Sequence, residues 1–408
     1  MTRDIKDLIV ALDIGTSKVV AAVAEILPDG QFEVLGLGQH ESKGMRKGVV
    51  VNIESTVNSI QRALEEAELM ADCKIREVYT GIAGSHIRSS SSSATVPIKD
   101  KEVTAADMTR AIDIAKAVTV PPEQQVLHVL TQEFRVDSQE NIRDPLGMSG
   151  RQLEVSVHIV TGAASAAQNI IKCVRRCGLE VQDLILQPLA SSMSCLTSDE
   201  KDLGVVLVDI GGGTTDVAIF TEGAIRYTAV IPLAGDLITS DIAAMLHTPT
   251  PDAEDIKLRF GAAKQSLVDP DDYIEVPGLG ERPSRQVKRQ VLGAVIQPRV
   301  EELFEFVDNI IRESGFEGRI ASGVVLTGGS SLLPGMAELA EDVFLKPVRL
   351  GVPVYNGSLT DVVRNPRFST VMGLLTEARL QRMRGQKTAQ QKGSFKTLLT
   401  RMREWFVS

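Results

Sequence analysis

The sequence predicts an α/β protein of two or more domains, organised around glycine turns that join strands. Three observations carry this. The chain has 408 residues, 43% of them hydrophobic, enough for more than one core. Two segments far apart share one pattern: LIVALDIGTSKVV at 8–20 and VVLVDIGGGTTDVAIF at 205–220. A third glycine element, GVVLTGGSSLLPGMAELA at 323–340, follows another apolar run.

Each copy of the repeated pattern is an apolar, β-branched run ending in Asp-Ile-Gly, then a small-residue turn, then a second apolar run. That is a β-hairpin signature. It excludes the Rossmann fingerprint and the Walker A loop, in which a strand passes through glycines into a helix. Two such turns suit a polyphosphate gripped from opposite sides. Gly15, Gly211, Gly212 and Gly213 allow close backbone approach and positive φ, so successive N–H groups can form an anion nest. Thr16, Ser17, Thr214 and Thr215 offer hydroxyls, and Lys18 offers charge. Asp13 and Asp209 stand at matched strand ends, where carboxylates suit a hydrated Mg²⁺ with few protein ligands.

In the third element a strand leads through Gly328-Gly329 and Ser330 into a helix with Pro334 in its first turn. Such a glycine pair can abut a nucleoside and aim N–H groups at phosphate.

Composition excludes several classes. The net charge of −9 argues against general nucleic-acid binding. No stretch approaches the ~20 apolar residues of a membrane-spanning helix, and MTRDIKDLIVALDIG does not read as a signal peptide. The four cysteines form no C-x-x-C pair, so a reduced cytoplasm is the simplest reading. Cys173 and Cys177, four apart on an expected helix, read as packing residues.

The charge is unevenly spread. The last thirty residues hold eight Lys or Arg against one acid, a net +7, which leaves −16 on the rest. Ser394 can cap a helix in which Phe395, Leu398, Leu399, Met402, Trp405 and Phe406 form one apolar stripe. Lys396, Arg401 and Arg403 lie off it or at its edge. The pattern predicts an amphipathic helix lying in the headgroup plane of an anionic membrane surface.

Together DIGTSKV, VVLVDIGGGTTDVAIF and VVLTGGSSLLPGMAELA resemble the two phosphate motifs and the adenosine motif of the actin/Hsp70/sugar-kinase ATPase superfamily. LILQPLASSMS (184–194) and STVMGLL (369–375) resemble its two connecting helices, and all five occur in the family's order. ESKGMRKGVVVNIEST, VLHVLTQEFRVD, DPLGMSG, RCGLEV and PSRQVKRQVLGAVIQPR narrow the resemblance to the FtsA family of bacterial cell-division actin homologues.

The resemblance implies an actin-like two-lobed ATPase fold with ATP and Mg²⁺ in the cleft. It implies self-polymerisation, tethering to the cytoplasmic face of the inner membrane at the division site, and contacts with the FtsZ C-terminal tail and other division proteins. On this basis residues 1–83 begin the first lobe, and 84–161 form an inserted subdomain for subunit and partner contacts. Residues 162–202 return to the first lobe through the connecting helix. Residues 203–355 form the second lobe, 356–378 return to the first, 379–393 are a flexible linker and 394–408 the membrane helix. The run RSSSSSATVPI reads as a solvated loop.

The resemblance also places Gly235 and Asp236 near the ribose, Glu254 and Lys257 beside purine and ribose, and Gln187 near the attacking water. An amide is a feeble general base, so slow or negligible hydrolysis is expected. Arg285, Lys288 and Arg289, read as one basic helical stretch, would receive the acidic FtsZ tail. Two alternatives stay open: a small-molecule kinase of the same superfamily, or another actin-like scaffold such as a pilus-assembly protein.

Overall fold

The computed structural model describes residues 7–390. Two five-stranded sheets of the same topology form its frame. The first has the order Glu180–Leu186, Glu77–Ile82, Leu8–Ile14, Lys18–Ile26, Phe32–Glu41. The second has the order Val348–Leu350, Val324–Thr327, Val205–Ile210, Thr215–Thr221, Ala224–Ile231. In each, two parallel strands lead into an antiparallel hairpin and a further antiparallel strand. The repeated sequence pattern is therefore the visible part of a duplicated lobe. Both hairpins are buried on both faces, so they read as continuous apolar runs.

A helix covers one face of each lobe's sheet. Helix Ile53–Ala71 covers the first sheet with Val57, Ile60, Ala63 and Leu64, and the long helix Arg289–Glu313 covers the second with Leu292, Ile296, Val300 and Phe304. The connecting helices Gln187–Cys195 and Ser369–Gln390 cross between the lobes. Their approach requires glycine: a Cβ on Gly373 would lie 1.7 Å from the Ala190 carbonyl oxygen.

The chain between the lobe-one strands Glu77–Ile82 and Glu180–Leu186 builds a separate sheet, ordered Arg88–Pro97, Gln152–Ala163, Gln124–Val136, Gln139–Ile142. Helix Ala105–Ala115 packs on it, started by a capping box between Thr104 and Asp107. This unit rests on the second lobe through Gln132, which donates to the Ile225 carbonyl at 3.0 Å, and Ser89, which donates to the Thr228 carbonyl at 2.9 Å.

Four expectations need correction. The serine run is not a loop: Ser89–Ser93 lie in an edge strand paired from Ser89↔Val160 to Ser93↔Ser156. The apolar partner strand supplies the register, and small hydroxyl side chains are tolerated on an exposed edge. The segment 379–390 is not a linker but the continuation of helix Ser369–Gln390. Polar contacts hold it where no apolar stripe exists: Gln381 donates to Asp183 at 2.7 Å, and Arg382 pairs with Glu77. The basic stretch is not one helix: Arg285–Lys288 is a short strand against Tyr273–Val276, and the helix begins at Arg289. Pro334 lies before helix Met336–Phe344 rather than in its first turn, because Gly329–Leu332 forms a 3₁₀ turn. The expected membrane helix, 394–408, lies outside the described residues.

Candidate functional site

The two hairpin turns and the glycine pair meet at a cleft of about 660 Å³ between the lobes. The turns are built alike. Gly15 N–H donates to the Lys18 carbonyl at 3.0 Å, and Gly211 N–H to the Thr214 carbonyl at 2.9 Å. They also face one another across the cleft. A Cβ on Gly213 would lie 2.6 Å from Thr16 Oγ1, and one on Gly212 would lie 2.8 Å from Ser17 Oγ. Close approach is thus what these glycines provide. The expected positive φ is absent at Gly15 and Gly211–Gly213 and occurs at Gly328, at +85°.

Asp13 and Asp209 line the cleft from buried strand ends. Burial, assisted by Asp209 and opposed by Lys18, pushes the Asp13 carboxyl up to about 7. Burial also raises Asp209, against hydrogen bonds from Ser191 and Thr370 and the charge of Lys18. Lys18 is itself brought down to about 8 by burial, and its ammonium donates to the Arg367 carbonyl at 2.6 Å. Gln187, expected beside an attacking water, donates its amide N–H to Asp13 Oδ1 at 2.9 Å.

On the second-lobe side, Gly235 and Asp236 open helix Gly235–Leu246, and their N–H groups donate to the carbonyls of Gly211 and Gly212 at 3.2 and 2.8 Å. Ser330 Oγ donates to the same Gly211 carbonyl at 2.7 Å, which ties the glycine-pair turn to the phosphate turn. Lys257 is nearly buried. It donates to Gly235 O at 3.1 Å and Thr239 Oγ1 at 2.8 Å and pairs with Glu254 at 2.7 Å. Glu254, Lys257, Gly328, Gly329 and Ser330 all line the cleft, together with the apolar Leu332, Leu333 and Pro334.

Some expected residues are elsewhere. Thr215 is fully buried and spends its hydroxyl on the Leu233 carbonyl at 2.8 Å. Arg285 donates to the Leu246 carbonyl at 2.6 Å, and Arg289 to the Phe260 carbonyl at 2.8 Å and Asp272 at 3.1 Å. Lys288 sits 5.8 Å from the Tyr273 ring centroid. None of these three lines the cleft.

Sequence reasoning missed Asp216. It lines the cleft, burial and the charge of Asp209 hold its carboxyl well above the usual range, and its Oδ1 is buried without a hydrogen-bond partner. Comparing the two repeats concealed it: the strand partner of Asp209 is Asp216, but that of Asp13 is Val20. Arg367 and Thr370, from the end of the chain's return to the first lobe, also line the cleft.

The comparisons by sequence agree on one family. A family model described as cell division protein FtsA matches residues 206–373, and one described as the SHS2 domain inserted in FTSA matches 84–161. The cell division protein FtsA of Pseudomonas aeruginosa is 59% identical over 90% of this chain and 88% of its own length. That of Escherichia coli K12 is 44% identical over 98% and 97%. Among solved structures, the PilM-PilN type IV pilus biogenesis complex superposes with a TM-score of 0.65 at 18% identity, covering 91% of this chain and 98% of that one. MreB 5 of Spiroplasma citri bound to AMPPNP superposes with a TM-score of 0.58 at 14% identity, covering 94% and 99%. The structural neighbours establish an actin-like fold, and the identities and domain order place the chain in the FtsA family of cell division proteins.

Proposed function

We propose that the chain is an ATP-binding, actin-like division protein that polymerises at the cytoplasmic face of the inner membrane, anchors FtsZ filaments there and helps recruit the division machinery. The observation that carries this reading is the pair of facing turns, one per lobe, with buried carboxylates behind them. Asp13, Asp209 and Asp216 all have raised carboxyls, and the Lys18 ammonium beside them is itself depressed by burial. Lys18 does not offset the burial of these three acids, and Asp216 Oδ1 lacks a partner. A divalent cation answers both needs.

Among the described residues no three His, Cys, Asp or Glu side chains form a direct metal cage. The reading is therefore a hydrated Mg²⁺ held by Asp13 and Asp209 through water. The turns at 15–18 and 211–214 would hold the β- and γ-phosphates. Asp236, Glu254, Lys257 and the turn at 328–330 would hold the nucleoside. Bound Mg·ATP supplies a ligand with affinity for both lobes and a cleavable phosphoanhydride. Gln187 already gives its amide to Asp13 and is a poor proton acceptor, which fits slow or negligible hydrolysis. ATP then acts mainly by holding the lobes closed, in the state that polymerises.

Among the described residues no helix is long and apolar enough to cross a membrane. Membrane attachment is assigned to the amphipathic pattern at 394–408. One such helix binds reversibly, and a filament presenting many copies binds through avidity. Arg285, Lys288 and Arg289 are engaged within the second lobe, so the acidic FtsZ tail would meet their remaining donors and the strand edge. Electron microscopy on anionic lipid monolayers with and without ATP tests the whole: filaments with ATP support it, and bare monolayers under both conditions contradict it.

A further inference from the structure

Helix Gln187–Cys195 reaches both acids of the cleft. Gln187 and Ser191 are four residues apart, on one face and about one helical turn from each other. Gln187 holds Asp13 Oδ1, and Ser191 Oγ donates to Asp209 Oδ2 at 2.5 Å. Asp13 ends a first-lobe strand and Asp209 a second-lobe strand. One rigid turn of helix therefore fixes one oxygen of each lobe's carboxylate.

The second crossing helix adds to this at its first turn. Thr370 Oγ1 lies 3.1 Å from Ser191 Oγ and 3.4 Å from Asp209 Oδ2. The other oxygen of Asp209 is kept open by glycine, since a Cβ on Gly328 would lie 2.4 Å from Oδ1. Buried serines in helices commonly return their proton to a backbone carbonyl: Ser192 donates to Leu189 O at 2.7 Å, and Ser194 donates to Ser369 O at 2.7 Å and Ser191 O at 3.0 Å. Ser191, fully buried, instead reaches a carboxylate on another lobe.

We propose that Ser191 and Thr370 are positioning residues for the cation: they fix Asp209 by one oxygen, turn the other to the cleft, and tie that orientation to the crossing of the two connecting helices. This rests on the magnesium–nucleotide reading above. A change in the angle between the helices would move the two hydroxyls relative to Asp209, so lobe closure and cation binding become one event. Outer-shell partners of a metal site typically contribute 10–100-fold to its affinity; Asp209 is such a partner through water and Ser191 and Thr370 hold it from one step further out, which puts their effect at the low end, about 10-fold.

The test titrates the full chain with ATP in Mg²⁺ and in EDTA, for wild type, Ser191→Ala, Thr370→Val and Thr370→Ser. Ser191→Ala is expected to lose about 10-fold of the Mg²⁺-dependent tightening while keeping its affinity in EDTA. Thr370→Val, which keeps shape but not hydroxyl, is expected to move the same way, and Thr370→Ser to remain like wild type. Equal Mg²⁺ dependence in wild type and Ser191→Ala overturns the proposal and leaves the nucleotide reading standing. So does an equal loss in both media, which marks a merely structural role. A wild-type chain that binds ATP equally with and without Mg²⁺ overturns the metal reading itself.

Discussion

Gln187 and Asp13 are 174 positions apart in the chain, and the amide of the first reaches the carboxylate of the second at 2.9 Å. A Cβ on Gly81 would lie 2.8 Å from Gln187 Cγ, so this side chain is seated against the first-lobe sheet. Gln187→Leu removes the hold on Asp13 and is expected to weaken Mg²⁺-dependent ATP affinity about 10-fold. ATP hydrolysis, expected to be slow in wild type, should fall by no more than about 10-fold. Calorimetric titration and phosphate release measure the two effects.

Asp13 gives a pH dependence with a definite sign. Its carboxyl titrates at about 7 in the folded chain against an ordinary value of 3.8. The folded state holds this proton more tightly than the unfolded one. The stabilisation is complete below about pH 4 and is lost as pH rises through 7. Without nucleotide, the melting temperature of wild type should therefore fall relative to Asp13→Asn between pH 5 and 8, by several degrees. Mg·ATP affinity should run the other way, rising through pH 7 as the carboxylate forms. Parallel melting curves for the two proteins across that range would contradict the assignment.

The facing turns predict a steric effect. Gly213→Ala places a methyl within 2.6 Å of Thr16 Oγ1 and 2.8 Å of Thr16 Cγ2. It is expected to hold the lobes apart and cut ATP affinity at least about 10-fold, a cost of about 1.4 kcal/mol. Circular dichroism should be unchanged. Gly318→Ala, with nothing within 4 Å of its added carbon, serves as the control and should bind normally.

The amphipathic pattern at 394–408 predicts a separation of activities. Removing 394–408 should abolish sedimentation with anionic liposomes and leave ATP affinity unchanged. Substituting Trp405 and Phe406 by Ala together should lower liposome binding at least about 10-fold, since each buried aromatic contributes about 1.5–3 kcal/mol. Undiminished sedimentation of the truncated chain would refute the anchor.

Much of this fold was legible because its central hairpins are buried on both faces. Residues 8–14 and 205–210 must be apolar whatever their neighbours are, and the Asp-Ile-Gly endings mark where the strands reach the cleft. The two connecting helices were legible through the likeness of LILQPLASSMS and STVMGLL to those of a known superfamily. What stayed hidden depends on partners distant in sequence. The serine strand takes its structure from backbone pairing with Gln152–Ala163, which no composition announces. Helix 379–390 is held by Asp183 and Glu77 rather than by an apolar face. Ser191 looks like any buried small residue until Asp209 is seen beside it.

The most direct test is crystallisation of the full chain with AMPPNP and Mg²⁺. The account predicts triphosphate density between the turns at 15–18 and 211–214, and a hydrated metal between Asp13 and Asp209. Nucleotide bound away from the two turns, or phosphates in place with the metal remote from both carboxylates, would contradict it.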